Sequence, residues 1–218
     1  MPLNYPHSVI AIDGPAASGK SSVARELARR LKFVYVNSGA MYRAVTWAIL
    51  EKGIDPNDKQ TIAKFIAGAR LDGKLLDREF HLLINGADLT PHLNEGPVNA
   101  EVSRVSTVAQ VRQLLVQRMR DYATNHDIVI EGRDIGSVVF PETPYKFYID
   151  ASPEVRVQRR AAQGLRDEIA QRDRADSCRS ASPLIIAKDA EVIDTSAMSV
   201  NAVADDIISR LKRKNLAI

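Results

Sequence analysis

The segment Gly14-Pro15-Ala16-Ala17-Ser18-Gly19-Lys20-Ser21 has the spacing G-x-x-x-x-G-K-[ST] and follows directly on an apolar run at 9–12. That spacing is a cradle for phosphate: glycines at both ends permit a tight turn whose successive N–H groups converge on an anion. In such a loop the lysine, here Lys20, reaches the β- and γ-phosphates, and the Ser21 hydroxyl is offered to Mg²⁺. The helix that Ser21 opens adds the partial positive charge of its N-terminus. Gly14 through Ser21, with Ser22, are the candidate ATP-binding residues and Ser21 the candidate metal ligand.

A phosphate loop specifies only a bound nucleoside triphosphate; kinases, GTPases and ATP-driven machines share it. Three further clusters offer a second anion site. Asn37-Ser38-Gly39-Ala40-Met41-Tyr42-Arg43 follows the run 33–36, with Ser38 placed to cap the next helix and Arg43 one turn in; a plain N-cap beside a surface arginine reads equally well. Glu131-Gly132-Arg133-Asp134-Ile135-Gly136 closes the run 128–130. Its arginine can meet a phosphate while the aspartate accepts from a ligand amine, the competing reading being a structural ion pair. Arg172, Asp176 and Arg179, at i, i+4 and i+7, share one face of a helix. Salt bridging accounts for Arg172 with Asp176 but leaves one positive charge over. Between Ala151 and Ser180 there are seven arginines and no lysine, and guanidinium is the group that grips phosphate bidentately.

These groups need a scaffold. Short β-branched or aromatic runs at 9–12, 33–36, 128–130, 146–149 and 191–193 predict strands buried on both faces. Helical patterns at 20–31, 153–163 and 199–214 separate or follow them, Ser199 serving as an N-cap. Alternating strands and helices imply an α/β fold with a parallel sheet, whose ligands sit at the carboxyl ends of its strands. Residues 71–86 break the pattern: apolar runs punctuated by Asp72-Gly73, Asp77 and Asn85-Gly86 predict a small antiparallel meander, within an insertion spanning about 57–95 and followed by helices over 96–122.

Composition narrows the class. A chain of 218 residues, 45% hydrophobic, can bury a full core. A net charge of +3, from 30 basic against 27 acidic residues, is too mild to argue for nucleic-acid binding. Cys178 is the only cysteine, which excludes an intramolecular disulfide and a thiolate zinc site, and His7, His81, His92 and His126 show no metal-ligand pairing. Residues 1–7 lack a basic region followed by an apolar core, and no run of about 18 apolar residues occurs, so a cytoplasmic protein without membrane association is expected.

The phosphate loop, Ser38-Gly39-Ala40-Met41-Tyr42-Arg43, Gly132-Arg133-Asp134-Ile135-Gly136-Ser137-Val138-Val139-Phe140-Pro141 and the Arg172, Asp176, Arg179 series together resemble the bacterial-type cytidylate kinase family, in the family's order and from Val9 onward. The resemblance implies a P-loop core with a parallel five-stranded sheet flanked by helices (1–56 and 123–218), a short arginine-rich helical lid at about 156–180, and an NMP-binding insertion at 57–122. It implies ATP-dependent phosphorylation of CMP and dCMP with Mg²⁺, by a monomer. Residue by residue, it implies that Ser38, Ser103, Arg112 and Asp134 line the base pocket, that Arg43, Arg133 and Arg179 hold the acceptor phosphate, and that Arg172 and Asp176 stand near its sugar. Lys20, Arg133 and Arg179 are then the catalytic residues, with Arg156 and Arg160 toward ATP. The chemistry is consistent: a carboxylate at Asp134 accepts from the cytosine amine, Arg112 donates to ring acceptors, and uracil would turn a carbonyl toward Asp134.

The chain departs from the family pattern at three places. Asn37 stands where aspartate is usual, Gln163-Gly164-Leu165-Arg166 closes a shortened lid, and Ala175 replaces a frequent arginine. Which of Arg156, Arg159, Arg160 and Arg174 meets ATP stays open on these grounds. Two rivals stand beside this reading: another P-loop small-molecule kinase, of the UMP/CMP type or acting on a sugar or shikimate-like alcohol, and a nucleotide-sensing protein that holds ATP without transfer.

Overall fold

Strand β1 (Val9–Asp13) is buried at all five positions, as its run of Val, Ile and Ala requires. The computed structural model describes residues 6–162 and 184–217. They divide into two compact units, one of residues 1–35 and 123–218 and one of 36–122.

In the first unit β1 is flanked on both sides by parallel neighbours. Strand β6 (Ile128–Gly132) pairs with it from Val9↔Ile128 to Asp13↔Gly132, and β7 (Tyr145–Asp150) from Ile10↔Tyr145 to Asp13↔Tyr148. Strand β8 (Glu191–Asp194) pairs with β7 up to Asp150↔Asp194. At the far side of β6, Val34 N, in β2 (Val34–Asn37), donates to Asp127 O at 2.9 Å. The register therefore brings Asp13, Gly132, Asp150 and Asp194 to one carboxyl edge, where every chemistry-bearing loop of this unit begins.

Helix α1 (Lys20–Leu31) and the last helix, α7 (Val200–Arg213), cover this sheet. Their apolar stripes, Val23, Ala24 and Leu27 on one and Val203, Ile207 and Leu211 on the other, pack with Ile10, Ile12, Phe147, Ile149 and Ile193. Ser199 caps α7, its hydroxyl accepting from Ala202 N as the sequence predicts. Helix α6 (Pro153–Ala162) follows β7.

The second unit holds helices α2 (Ser38–Glu51) and α3 (Lys59–Gly68), an antiparallel meander of β3 (Leu71–Leu76), β4 (Glu79–Ile84) and β5 (Ala87–Asp88), then α4 (Gly96–Val105) and α5 (Ala109–Ala123). Two predicted turns are present: Asp77-Arg78 (φ 47 and 64°) and Asn85-Gly86 (φ 52 and 83°) have the paired left-handed conformation of tight hairpins. The third is not a turn. Asp72-Gly73 lies inside β3, where a Cβ on Gly73 would come within 2.5 Å of the Phe80 ring across the ladder, so the glycine accommodates an aromatic neighbour.

Candidate active site

The loop after β1 has the backbone of an anion nest. Gly14 (φ 156°) could carry no side chain, since a Cβ would lie 2.1 Å from the Ile149 carbonyl. Ala17 (φ 60°) and Gly19 (φ 92°) are also left-handed, and for alanine this conformation costs about 1 kcal/mol, a strain spent on the shape of the loop.

Outside donors hold the loop carbonyls. Arg156 Nη1 donates to Ala16 O at 3.3 Å, Arg159 Nη1 to Ser18 O at 3.0 Å, and Lys20 Nζ to Pro15 O at 3.0 Å. In a planar trans peptide the N–H points opposite to the preceding carbonyl, so each contact turns the amide of Ala16, Ala17 or Gly19 the other way. Arg159 also donates to Thr195 Oγ1 (3.0 Å) and Thr195 O (2.7 Å), and the Thr195 hydroxyl lies 2.8 Å from Ser18 O. Ser18 Oγ is fully buried with no hydrogen-bond partner among the described residues, a polar atom suited to a phosphate oxygen.

Below the loop, Glu131, the penultimate residue of β6, is only 3% exposed. Ser21 Oγ donates to its Oε1 at 2.6 Å and Tyr35 Oη at 3.2 Å, while Lys20 Nζ lies 4.0 Å from Oε2. Arg25 stacks its guanidinium 4.7 Å from the Tyr35 ring centre. Asp13 and Thr195 are residues that sequence reasoning did not place in the site; Glu131 stood in a candidate cluster without a role, and Arg159 was one of four arginines left open toward ATP. The position of Asp13 at the end of β1 and of Thr195 just after β8 was the available signal, yet their contacts are remote in sequence.

The turn after β6 carries Arg133 and Asp134. Arg133 Nη1 donates to Gly14 O at 3.1 Å, which joins this turn to the phosphate loop. Asp134 is 6% exposed and precedes a π-type turn, Ile135–Val139, that sequence reasoning did not predict. Asp13 accepts from Ile135 N at 2.8 Å and Gly136 N at 2.7 Å. Burial pushes the Asp13 carboxyl up to about 6, against the lowering effect of these two amides.

In the second unit Asn37, not Ser38, caps α2: its Oδ1 accepts from Ala40 N at 2.9 Å. An amide oxygen does this as well as a carboxylate, and Ser38 becomes the buried first residue of the helix. Arg43 folds back one turn, its Nη1 2.9 Å from where a Gly39 Cβ would stand. Arg112 is 7% exposed, with its guanidinium 5.8 Å from the Tyr42 ring centre, and Ser103 lies on α4, which packs on α2. Arg172, Asp176 and Arg179, with Cys178 and the lid stretch 163–183, lie outside the described residues. Arg160 is half-buried on α6. No group of three or more His, Cys, Asp or Glu suited to a metal occurs among the described residues.

Sheet, loop and flanking helices define a phosphate-loop nucleotide-binding protein of the α/β class. A solved structure of an uncharacterized protein from Eubacterium ventriosum has this fold, with a TM-score of 0.51 at 15% identity over 94% of this chain and 99% of that one. The family model for Cytidylate kinase matches residues 10–213, and the chain belongs to that family. A cytidylate kinase of Pelotomaculum thermopropionicum is 41% identical over 93% of this chain and 95% of its own length. A bifunctional pantoate ligase/cytidylate kinase of Synechococcus elongatus is 40% identical over 95% of this chain, which spans only 42% of that longer protein.

Proposed function

We propose that this chain transfers the γ-phosphoryl group of ATP to CMP and dCMP, giving CDP and dCDP. An oxygen of the acceptor phosphate forms the new bond to the γ-phosphorus in line, the bond to the β–γ bridging oxygen breaks, and ADP leaves. Such transfer asks a protein for alignment and charge neutralisation, which suits a site of one lysine and several arginines.

Gly14 to Ser22 cradle the donor phosphates, through backbone N–H groups at every position but Pro15, and Lys20 supplies positive charge to the transferring group. Arg156 and Arg160 of α6 are assigned to ATP, a role supported for Arg156 by its contact with Ala16 O. The hard oxygen donors Ser21 and Glu131, in hydrogen-bond contact at 2.6 Å, fit Mg²⁺. They would hold the ion, which when bound neutralises charge on the phosphate oxygens. The family resemblance assigns Ser38, Arg43, Ser103, Arg112, Arg133, Asp134, Arg172, Asp176 and Arg179 to the acceptor, with Asp134 taking the cytosine amine.

The single observation carrying this reading is the Arg133 contact to Gly14 O, because an arginine assigned to the acceptor is tied directly to the donor loop. Family membership and the named relatives support the acceptor's identity. A monomer in the cytoplasm with no nucleic-acid partner is part of the same proposal, the mild charge supporting the last of these; among the described residues no helix is long and apolar enough to cross a membrane. The test is a coupled assay of CMP, dCMP, UMP and AMP with ATP and Mg²⁺. We expect the cytosine nucleotides to be strongly preferred; equal rates on all four would refute the role of Asp134.

A further inference from the structure

We propose that Asp13 is a positioning residue that holds the Arg133–Asp134 turn in register with the phosphate loop and thereby sets discrimination between cytosine and uracil acceptors. The inference rests on the proposed kinase activity and extends it to a residue that touches neither substrate.

Asp13 is the last residue of β1 and the one before Gly14, so its backbone position is fixed by pairing with Gly132 on one side and Tyr148 on the other. Its side chain is 5% exposed, and a carboxylate is an expensive group to bury without a purpose. Both oxygens are used on consecutive amides of one turn, Ile135 N at 2.8 Å and Gly136 N at 2.7 Å. The adjacent residue ties the same turn a third time, through Gly14 O and Arg133 Nη1. Asp13 at the end of β1 and Gly14 just after it thus hold Arg133 and the amides just after Asp134, and a shift of either strand end would displace the base-reading carboxylate.

The turn is braced from the other side as well. A Cβ on Gly136 would lie 3.2 Å from the Lys146 Cγ and Cδ atoms and 3.4 Å from Asp13 Oδ2. Lys146, 4% exposed, donates to Pro141 O at 2.6 Å and pairs with Asp189 at 2.7 Å, which anchors its stem. The glycine lets the turn fit between Asp13 and Lys146. Ionisable residues on the surrounding elements are Arg133 and Asp134 on the turn, Glu131 on β6, and Tyr145, Lys146, Tyr148 and Asp150 on β7. Of these, Asp134 raises and Arg133 lowers the Asp13 carboxyl, whose value near 6 puts loss of one acceptor oxygen within an assayable pH range.

The experiment measures kcat and KM for CMP, UMP and ATP on wild-type protein, Asp13→Asn and Gly136→Ala between pH 5.5 and 8. The ratio of CMP to UMP specificity cancels ionisation of the acceptor phosphate, which both substrates share. We expect this ratio to fall as wild-type protein is taken below about pH 6. In Asp13→Asn it should be at least tenfold lower at pH 8 and flat with pH, with the KM for CMP raised and that for ATP within twofold. Gly136→Ala, which leaves Asp13 in place but crowds the turn, should show the same acceptor-specific loss. A ratio unchanged in both variants, or equal rises in the KM for CMP and ATP, would overturn the proposal. If Asp13→Asn does not fold, the wild-type pH dependence and Gly136→Ala decide the matter. Wild-type protein inactive on CMP at every pH refutes the kinase reading itself, and the assignment of Asp13 with it.

Discussion

Replacing Asp13 by asparagine should change not only the activity of this protein but the pH dependence of its stability. The unfolded chain releases the Asp13 proton near 3.8 and the folded chain near 6. Between those values the folded state holds more protons than the unfolded state, so this residue makes stability fall as pH rises, and above about 6 the full cost is present. That cost is about 3 kcal/mol, and roughly half of it accrues between pH 5 and 7.5. Asparagine does not titrate, and its loss of one acceptor oxygen is a penalty independent of pH. The stability of Asp13→Asn relative to wild type should therefore rise by about 1–2 kcal/mol from pH 5 to pH 7.5. Urea unfolding followed by far-ultraviolet circular dichroism measures this difference, and amide exchange at 128–131 in β6 checks that the affected unit is the one that responds. A difference constant with pH, or one that narrows toward neutrality, would refute the account of a carboxylate charged at the expense of its burial.

Two further substitutions separate the parts of the donor site. Glu131→Gln keeps the size of the acceptor for Ser21 and Tyr35 but removes its charge; kcat should fall about a hundredfold, on the order of 3 kcal/mol, and titration with Mg²⁺ should show a higher half-saturating concentration. Arg159→Ala releases Ser18 O and Thr195 together, so the KM for ATP should rise about tenfold or more while that for CMP stays within twofold, as steady-state kinetics with each substrate varied will show.

Elements whose stabilising contacts are close in sequence were legible. Helix α1 begins at Lys20 and ends at Leu31 as predicted, because the loop glycine before it and the spacing of Val23, Ala24 and Leu27 are local signals. Ser199 and the turns at Asp77 and Asn85-Gly86 belong to the same class. Local reading erred where neighbours along the chain were ambiguous. Asn37 and Ser38 are both good caps, and only the helix's actual start assigns the bond to Asn37. Asp72-Gly73 has the composition of a turn, but Phe80 lies over it and the pairing of β3 with β4 prevails.

The chemistry divides the same way. From residue types and spacing alone came the phosphate loop, the alternation of strand and helix, and the arginines and aspartate that suit a second anion and a base, since each is a property of a few consecutive residues. The carbonyl contacts of Arg156 and Arg159, the Glu131 carboxylate beneath Ser21 and Lys20, and the grip of Asp13 on the turn at Ile135 and Gly136 join residues 110 to 141 positions apart. No sequence pattern encodes such pairs. They exist because parallel pairing of β1 with β6 and β7 delivers distant strand ends to one edge, where buried polar groups must find partners.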